Sequence, residues 1–151
     1  AGRHDAYAFR RRRYSRPVAA KLALLLAVAA VVAGCGVRNS KPFTAKGTAP
    51  CLKSHAFTRV TTNPALVGFI AGFADNGGIR AASPSGNNLT IAFTDSPDTV
   101  SSTEDAFRSH APKSLRSHMS DIMMTNRNAV LVWTITPKPD ELDTAQRCLA
   151  P

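Results

Sequence analysis

No stretch of this 151-residue chain approaches the roughly 20 consecutive apolar residues that a membrane-spanning helix needs. The longest clean run, Leu22 to Ala33, holds 12 residues and is closed by Lys21 and Gly34, so it excludes an ordinary transmembrane span. Acidic residues are few, 10 against 19 Lys and Arg. There are no internal repeats. No Ser sits in a Gly-x-Ser-x-Gly elbow, and Asn76-Gly77-Gly78 has neither the lysine nor the glycine spacing of a phosphate loop. Ser114 and Ser117 lie near His118, without an identifiable acid to orient it. Cysteine is limited to three residues, with no second Cys-Cys or His-His pair, so Cys51 and His55 lack the four closely spaced ligands of a structural zinc site. Nucleophilic catalysis, phosphate binding by a glycine loop and structural zinc all lose their usual signatures.

Net charge is +9, but it is concentrated. Residues 1–34 hold seven basic residues and one acid, a net of +6; the other 117 hold 12 basic and nine acidic, a net of +3. A basic block directly before an apolar run keeps an N-terminus on the cytoplasmic side. That leaves little reason to expect nucleic-acid binding by the remainder.

Arg3, Arg10 to Arg13 and Arg16 precede the apolar run, which ends in Val32-Ala33-Gly34-Cys35. An apolar stretch of about 7–15 residues behind a basic region has the dimensions of a secretory signal. A cysteine directly after the small pair goes further: the segment resembles the type II signal peptide of bacterial lipoproteins, whose lipobox ends in the lipidated cysteine. The resemblance covers residues 1–35. It implies cleavage before Cys35, a diacylglycerol and N-acyl (palmitate-type) modification there, no other cofactor, and a location on the extracytoplasmic face of the cell membrane. Gly36 rather than Asp follows the cysteine, so in a cell with two membranes the usual inner-membrane retention signal is missing. Arg11-Arg12-x-Tyr14 leaves both general and twin-arginine export open.

With Cys35 lipidated as the resemblance implies, Cys51 and Cys148 remain as a pair in an exported, oxidising environment, where disulfides persist. The expected organisation is a signal peptide at 1–34, a flexible tether at 35–50 and a disulfide-clasped domain at 51–149. Ser, Thr, Lys, Gly and Pro dominate residues 36–50, a composition poor in core-forming side chains. This layout is similar to that of small lipoproteins of high-G+C bacteria, and it implies no activity.

Within the domain, Ser54 to Val60 suits a strand. Thr62 or Asn63 caps a helix with Pro64 in its first turn, and Leu66, Val67, Ile70, Phe73 and Ala74 mark its buried face. Asn76-Gly77-Gly78 stops it. Ile79 to Ser83 and Leu89 to Thr94 read as strands around a turn-rich connection. Ser96-Pro97-Asp98 opens a second helix, where Asp95, Ser96 and Asp98 suit capping better than acid catalysis. Ala129 to Ile135, apolar on both faces, is an interior strand. Pro137 to Asp140 starts a last helix that carries Cys148. The order predicts an α+β, ferredoxin-like (βαββαβ) sheet with helices on one face plus a C-terminal helix. Residues 113–127 suit either a short helix or a hairpin strand pairing Ile122 to Met124 with Val130 to Val132.

The expected role is a non-enzymatic binding or interaction module of the cell envelope, with the membrane and an envelope protein as partners. The alternative is copper(I) binding. His118, Met119 and Met123 combine imidazole with thioether, which suits that soft ion, and on a helix Met119 and Met123 would share a face. Against it stands the ordinary use of Met as a core filler.

Overall fold

A computed structural model describes residues 41–150; the expected signal peptide at 1–34, Cys35 and residues 36–40 lie outside the described residues. No helix among them is long and apolar enough to cross a membrane.

Order begins earlier than composition suggests. Helix α1 spans Ala45–Ser54, so residues 45–50, expected in the tether, are helical instead. The hydroxyl of Thr44 accepts from the backbone N–H of Gly47 as its N-cap. Pro50 falls inside, and Ala45, Ala49 and Leu52 are buried. Small apolar side chains were enough here, because the sheet supplies the large ones. The chain before α1 is held too. Buried Asn128 accepts from the Phe43 N–H at 2.8 Å and donates to its carbonyl at 2.9 Å, while the Arg127 guanidinium lies 4.3 Å from the Phe43 ring centre.

Strand β1, Thr58–Thr61, starts later than expected because α1 runs to Ser54. Two single helical turns follow, α2 at Pro64–Val67 and α3 at Phe69–Gly72. Asn63 caps the first, its side chain accepting from Ala65 N–H at 3.0 Å. Gly68, at φ +94°, separates them, so the predicted continuous helix is broken. Its buried face is narrower than expected: Val67 and Ala71 are buried, whereas Leu66 and Phe73 are exposed. Strands β2 (Gly78–Ala82) and β3 (Asn88–Phe93) form a hairpin. After a 3₁₀ turn at Pro97–Thr99 come α4 (Val100–His110), α5 (Lys113–Arg116) and α6 (Met119–Ile122). Asp95 takes the Thr99 hydroxyl at 2.7 Å, and Ser96 caps no amide with its side chain. Strands β4 (Met123–Asn126) and β5 (Ala129–Trp133) make a second hairpin, and α7 (Pro139–Arg147) ends at Cys148. Residues 113–127 thus contain both arrangements left open: two helical turns, then a strand in which Met123 faces Val132 and Met124 faces Leu131.

The fold is α+β with one five-stranded sheet in the order β1-β2-β3-β5-β4, every neighbouring pair antiparallel. The ferredoxin-like order is not found. That topology needs a helix long enough to cross the sheet and bring the next strand in parallel. The two broken turns of α2 and α3 instead return the chain directly, so β1 and β2 are antiparallel neighbours.

Helices also cover both faces rather than one. Leu89, Ile91, Trp133 and Leu131 point to one side, where Leu52 of α1, Phe57, and Ala145 and Leu149 around α7 join the main core. The Phe57 and Trp133 rings meet there at 6.3 Å. Strand alternation turns Gly78 and Ala92 to the other side, against Val67 and Ala71. A Cβ at Gly78 would lie 2.7 Å from that of Ala71 and closer still to the Ala71 carbonyl. Gly78→Ala should therefore destabilise by about 1–3 kcal/mol, since backbone must shift to admit it. A urea midpoint unchanged from wild type would contradict this close approach.

Candidate functional site

Cys51 and Cys148 form the disulfide, with Cα atoms 5.6 Å apart, joining the last turn of α1 to the end of α7. His55 caps α1, one turn beyond Cys51, so its ring reaches back over the bridge. Its Nδ1 lies 3.7 Å from Cys51 Sγ, 4.0 Å from Cys148 Sγ and 3.0 Å from the Cys51 carbonyl. Two sulfurs and one imidazole within 4.8 Å of one another resemble a metal triad in outline. Metal, however, takes cysteine as thiolate, and both sulfurs are already bonded to each other.

Beside the bridge opens a cleft of about 310 Å³ lined by His55, Phe57, Ser85, Lys138, Glu141 and Thr144, among others. Glu141 is its buried carboxylate, 5% exposed. It occupies the third position of α7, where a carboxylate reaches back to the helix start: Oε2 accepts the Lys138 N–H at 2.9 Å. Oε1 accepts the hydroxyls of Ser83 and Ser85 from the β2–β3 loop. Burial disfavours its charge, but the hydrogen bonds of Ser83, Ser85 and the Lys138 amide outweigh that cost and hold the carboxyl below its ordinary value.

The cleft gathers serine, histidine and carboxylate, yet their connections differ from those of an activated nucleophile. In a triad the serine proton goes to an imidazole, which a carboxylate orients. Here both serine hydroxyls donate directly to the carboxylate, while the His55 Nδ1 faces Cys51 and Ser54. A carboxylate held ionised by three donors has little driving force to take up a proton. What the arrangement does is mechanical: it ties the β2–β3 loop to the start of α7, whose other end the disulfide ties to α1.

The residues singled out for copper(I) differ in their surroundings. Met119 and Met123 are buried at 2% and 6% exposure within the main core, one at the start of α6 and the other opening β4. His118 is exposed, 3.8 Å from Asp121. Helix α6 ends at Ile122, so the shared helical face of Met119 and Met123 does not form.

No protein-family model, curated protein or solved structure matches the chain. The Cys51–His55 spacing was visible in sequence. Glu141 was missed, and its one local signal was a glutamate two residues after Pro139 at a helix start. Its partners Ser83 and Ser85 lie 58 and 56 residues away, beyond any local pattern.

Proposed function

We propose that this chain is the precursor of a protein lipid-anchored through Cys35 on the extracytoplasmic face of the cell membrane, whose folded unit is a non-enzymatic interaction module. The basic, apolar and lipobox order of residues 1–35 supports export and anchoring, and the Cys51–Cys148 bridge suits an oxidising destination. The observation that carries the interaction reading is the set of exposed apolar side chains Leu66, Phe69 and Phe73 on one short segment, on a domain whose polar cleft is committed to its own hydrogen bonds. Copper(I) is left out of the proposal, since Met119 and Met123 are buried in the main core while His118 is exposed.

Metabolic labelling with an alkyne fatty acid tests the anchor. The wild-type chain is expected to carry label in the membrane fraction, and Cys35→Ala to lose it, remaining as full-length precursor or appearing in the medium. Label that persists in Cys35→Ala, or its absence from the wild type, would overturn the reading.

A further inference from the structure

The outer side of α2 and α3 presents Leu66, Phe69 and Phe73, which are 57%, 74% and 79% exposed. The two phenyl rings lie 5.0 Å apart at the edge of a shallow depression of about 470 Å³, floored by Pro64, Ala65, Gly68 and Gly72. Phe69 opens α3 and Phe73 caps it, four residues on, so their rings meet across that single turn. Val67 and Ala71 face the sheet from the same short segment. The segment is therefore amphipathic in three dimensions: small apolar groups inward, large ones outward. Aromatic and Leu side chains on the outer face of such an element are the pattern of one that beds into a bilayer interface.

Charge and chain length say which surface this is. Leu66 shares a second depression with Arg59 and Arg80, so the patch is basic on its β1–β2 side; the nearest acid in the sequence is Asp75, two residues past Phe73. The chain from Cys35 onward carries 12 basic and nine acidic residues, a net of +3 that favours an anionic surface. The backbone N–H of Ala45, at the start of α1, donates to the Asn76 carbonyl at 3.0 Å. Asn76 is three residues beyond Phe73, at most about 11 Å of backbone. Lys41 is six residues after Cys35, a span of at most about 22 Å when fully extended. A lipid on Cys35 would thus keep the domain within a short reach of the bilayer, with the chain joining the fold near this patch.

We propose that the outer face of α2 and α3 is a membrane-docking surface. Leu66, Phe69 and Phe73 enter the interfacial layer of an anionic phospholipid bilayer, while Arg59 and Arg80 meet its headgroup phosphates. This rests on the lipid-anchor reading. The short chain makes docking effectively intramolecular, so weak individual contacts suffice to lay the domain down on the surface. The patch then acts as a second membrane signal beside the acyl chains.

The test uses the processed chain, purified from membranes and reconstituted in vesicles of phosphatidylethanolamine and phosphatidylglycerol with brominated acyl chains. Phe69→Trp and Phe73→Trp are read separately. Lys53→Trp, on α1 across the sheet, is the control, and the wild-type chain with its buried Trp133 supplies the background. Both reporters are expected to shift to the blue and lose at least half their emission to the bromine quencher, while Lys53→Trp is unaffected. Replacing phosphatidylglycerol by phosphatidylcholine should weaken the quenching several-fold. Unquenched reporters on vesicle-bound, lipid-modified chain would overturn the docking surface, as would a blue shift without quenching, which marks cover by a protein or a second copy. Mass spectrometry reports Cys35 lipidation independently. If the lipid is absent, the anchor reading fails by itself, and the same vesicles added to the unmodified chain decide docking on the same criterion.

Discussion

Replacing both Cys51 and Cys148 with alanine is expected to lower the unfolding free energy by about 4–5 kcal/mol, the largest single effect in this protein. The bridge closes a separation of 97 residues, and the chain-entropy model assigns a loop of that size about 4.7 kcal/mol of lost freedom in the unfolded state. Measured losses for native bridges in small domains run from about 2 to 5 kcal/mol. The described unit has little reserve, since a domain of about 100 residues has a stability on the order of 5–15 kcal/mol. A fall in melting temperature of at least 10 °C is therefore expected, since 1 kcal/mol shifts a domain of this size by about 4 °C or more. Thermal melts of oxidised protein and of the double variant check this. Two free thiols in the non-reduced protein, seen by mass spectrometry, would mean that the pairing itself is wrong.

Glu141→Ala is expected to cost about 3–4 kcal/mol. The side chain accepts from buried Ser83 and from the more exposed Ser85 and Lys138 amide, and its loss removes three hydrogen bonds to a charged acceptor, each worth about 1–3 kcal/mol, with the largest cost at Ser83. Glu141→Gln keeps the shape but loses the charge, and should fall between the two. The pH dependence has a definite sign. The folded carboxyl lies below its ordinary value of 4.5, so its contribution is present above that value and fades as pH falls through the lower folded one. Urea unfolding at pH 7 and near pH 3 should show wild type losing more stability on acidification than Glu141→Gln. Equal losses in the two proteins would show that Glu141 is not the group that couples protons to folding.

Short-range chemistry was the legible part of this sequence. Asn63 before Pro64 announced a capped turn, and Ala129 to Trp133 announced an interior strand, because both depend on neighbours a few residues away. The Cys51–Cys148 pair was legible by count. Misreadings came where an interaction spans the chain. Residues 45–50 looked incapable of burying a core, yet Ala45, Thr48 and Ala49 are buried because the sheet beneath them carries the bulk. Phe73 looked buried by spacing, but Gly68 rotates the second turn so that Phe69 and Phe73 face outward. The same break removed the crossover on which a ferredoxin-like order depends. Glu141 was invisible for a related reason: its value lies in a loop 56–58 residues earlier in the chain.

Both borders of the sheet are short, and one of them is uneven. β4 and β1 each have four residues, and β1 slips in register between Thr58 and Thr61, around Arg59 at φ +51°. A non-glycine residue in the left-handed region puts a twist where an incoming strand would need a flat row of amides and carbonyls. Such a border offers a poor template for strand addition and disfavours edge-to-edge pairing between copies. Any contact this domain makes through its sheet therefore falls to side chains on the faces rather than to the backbone of its borders.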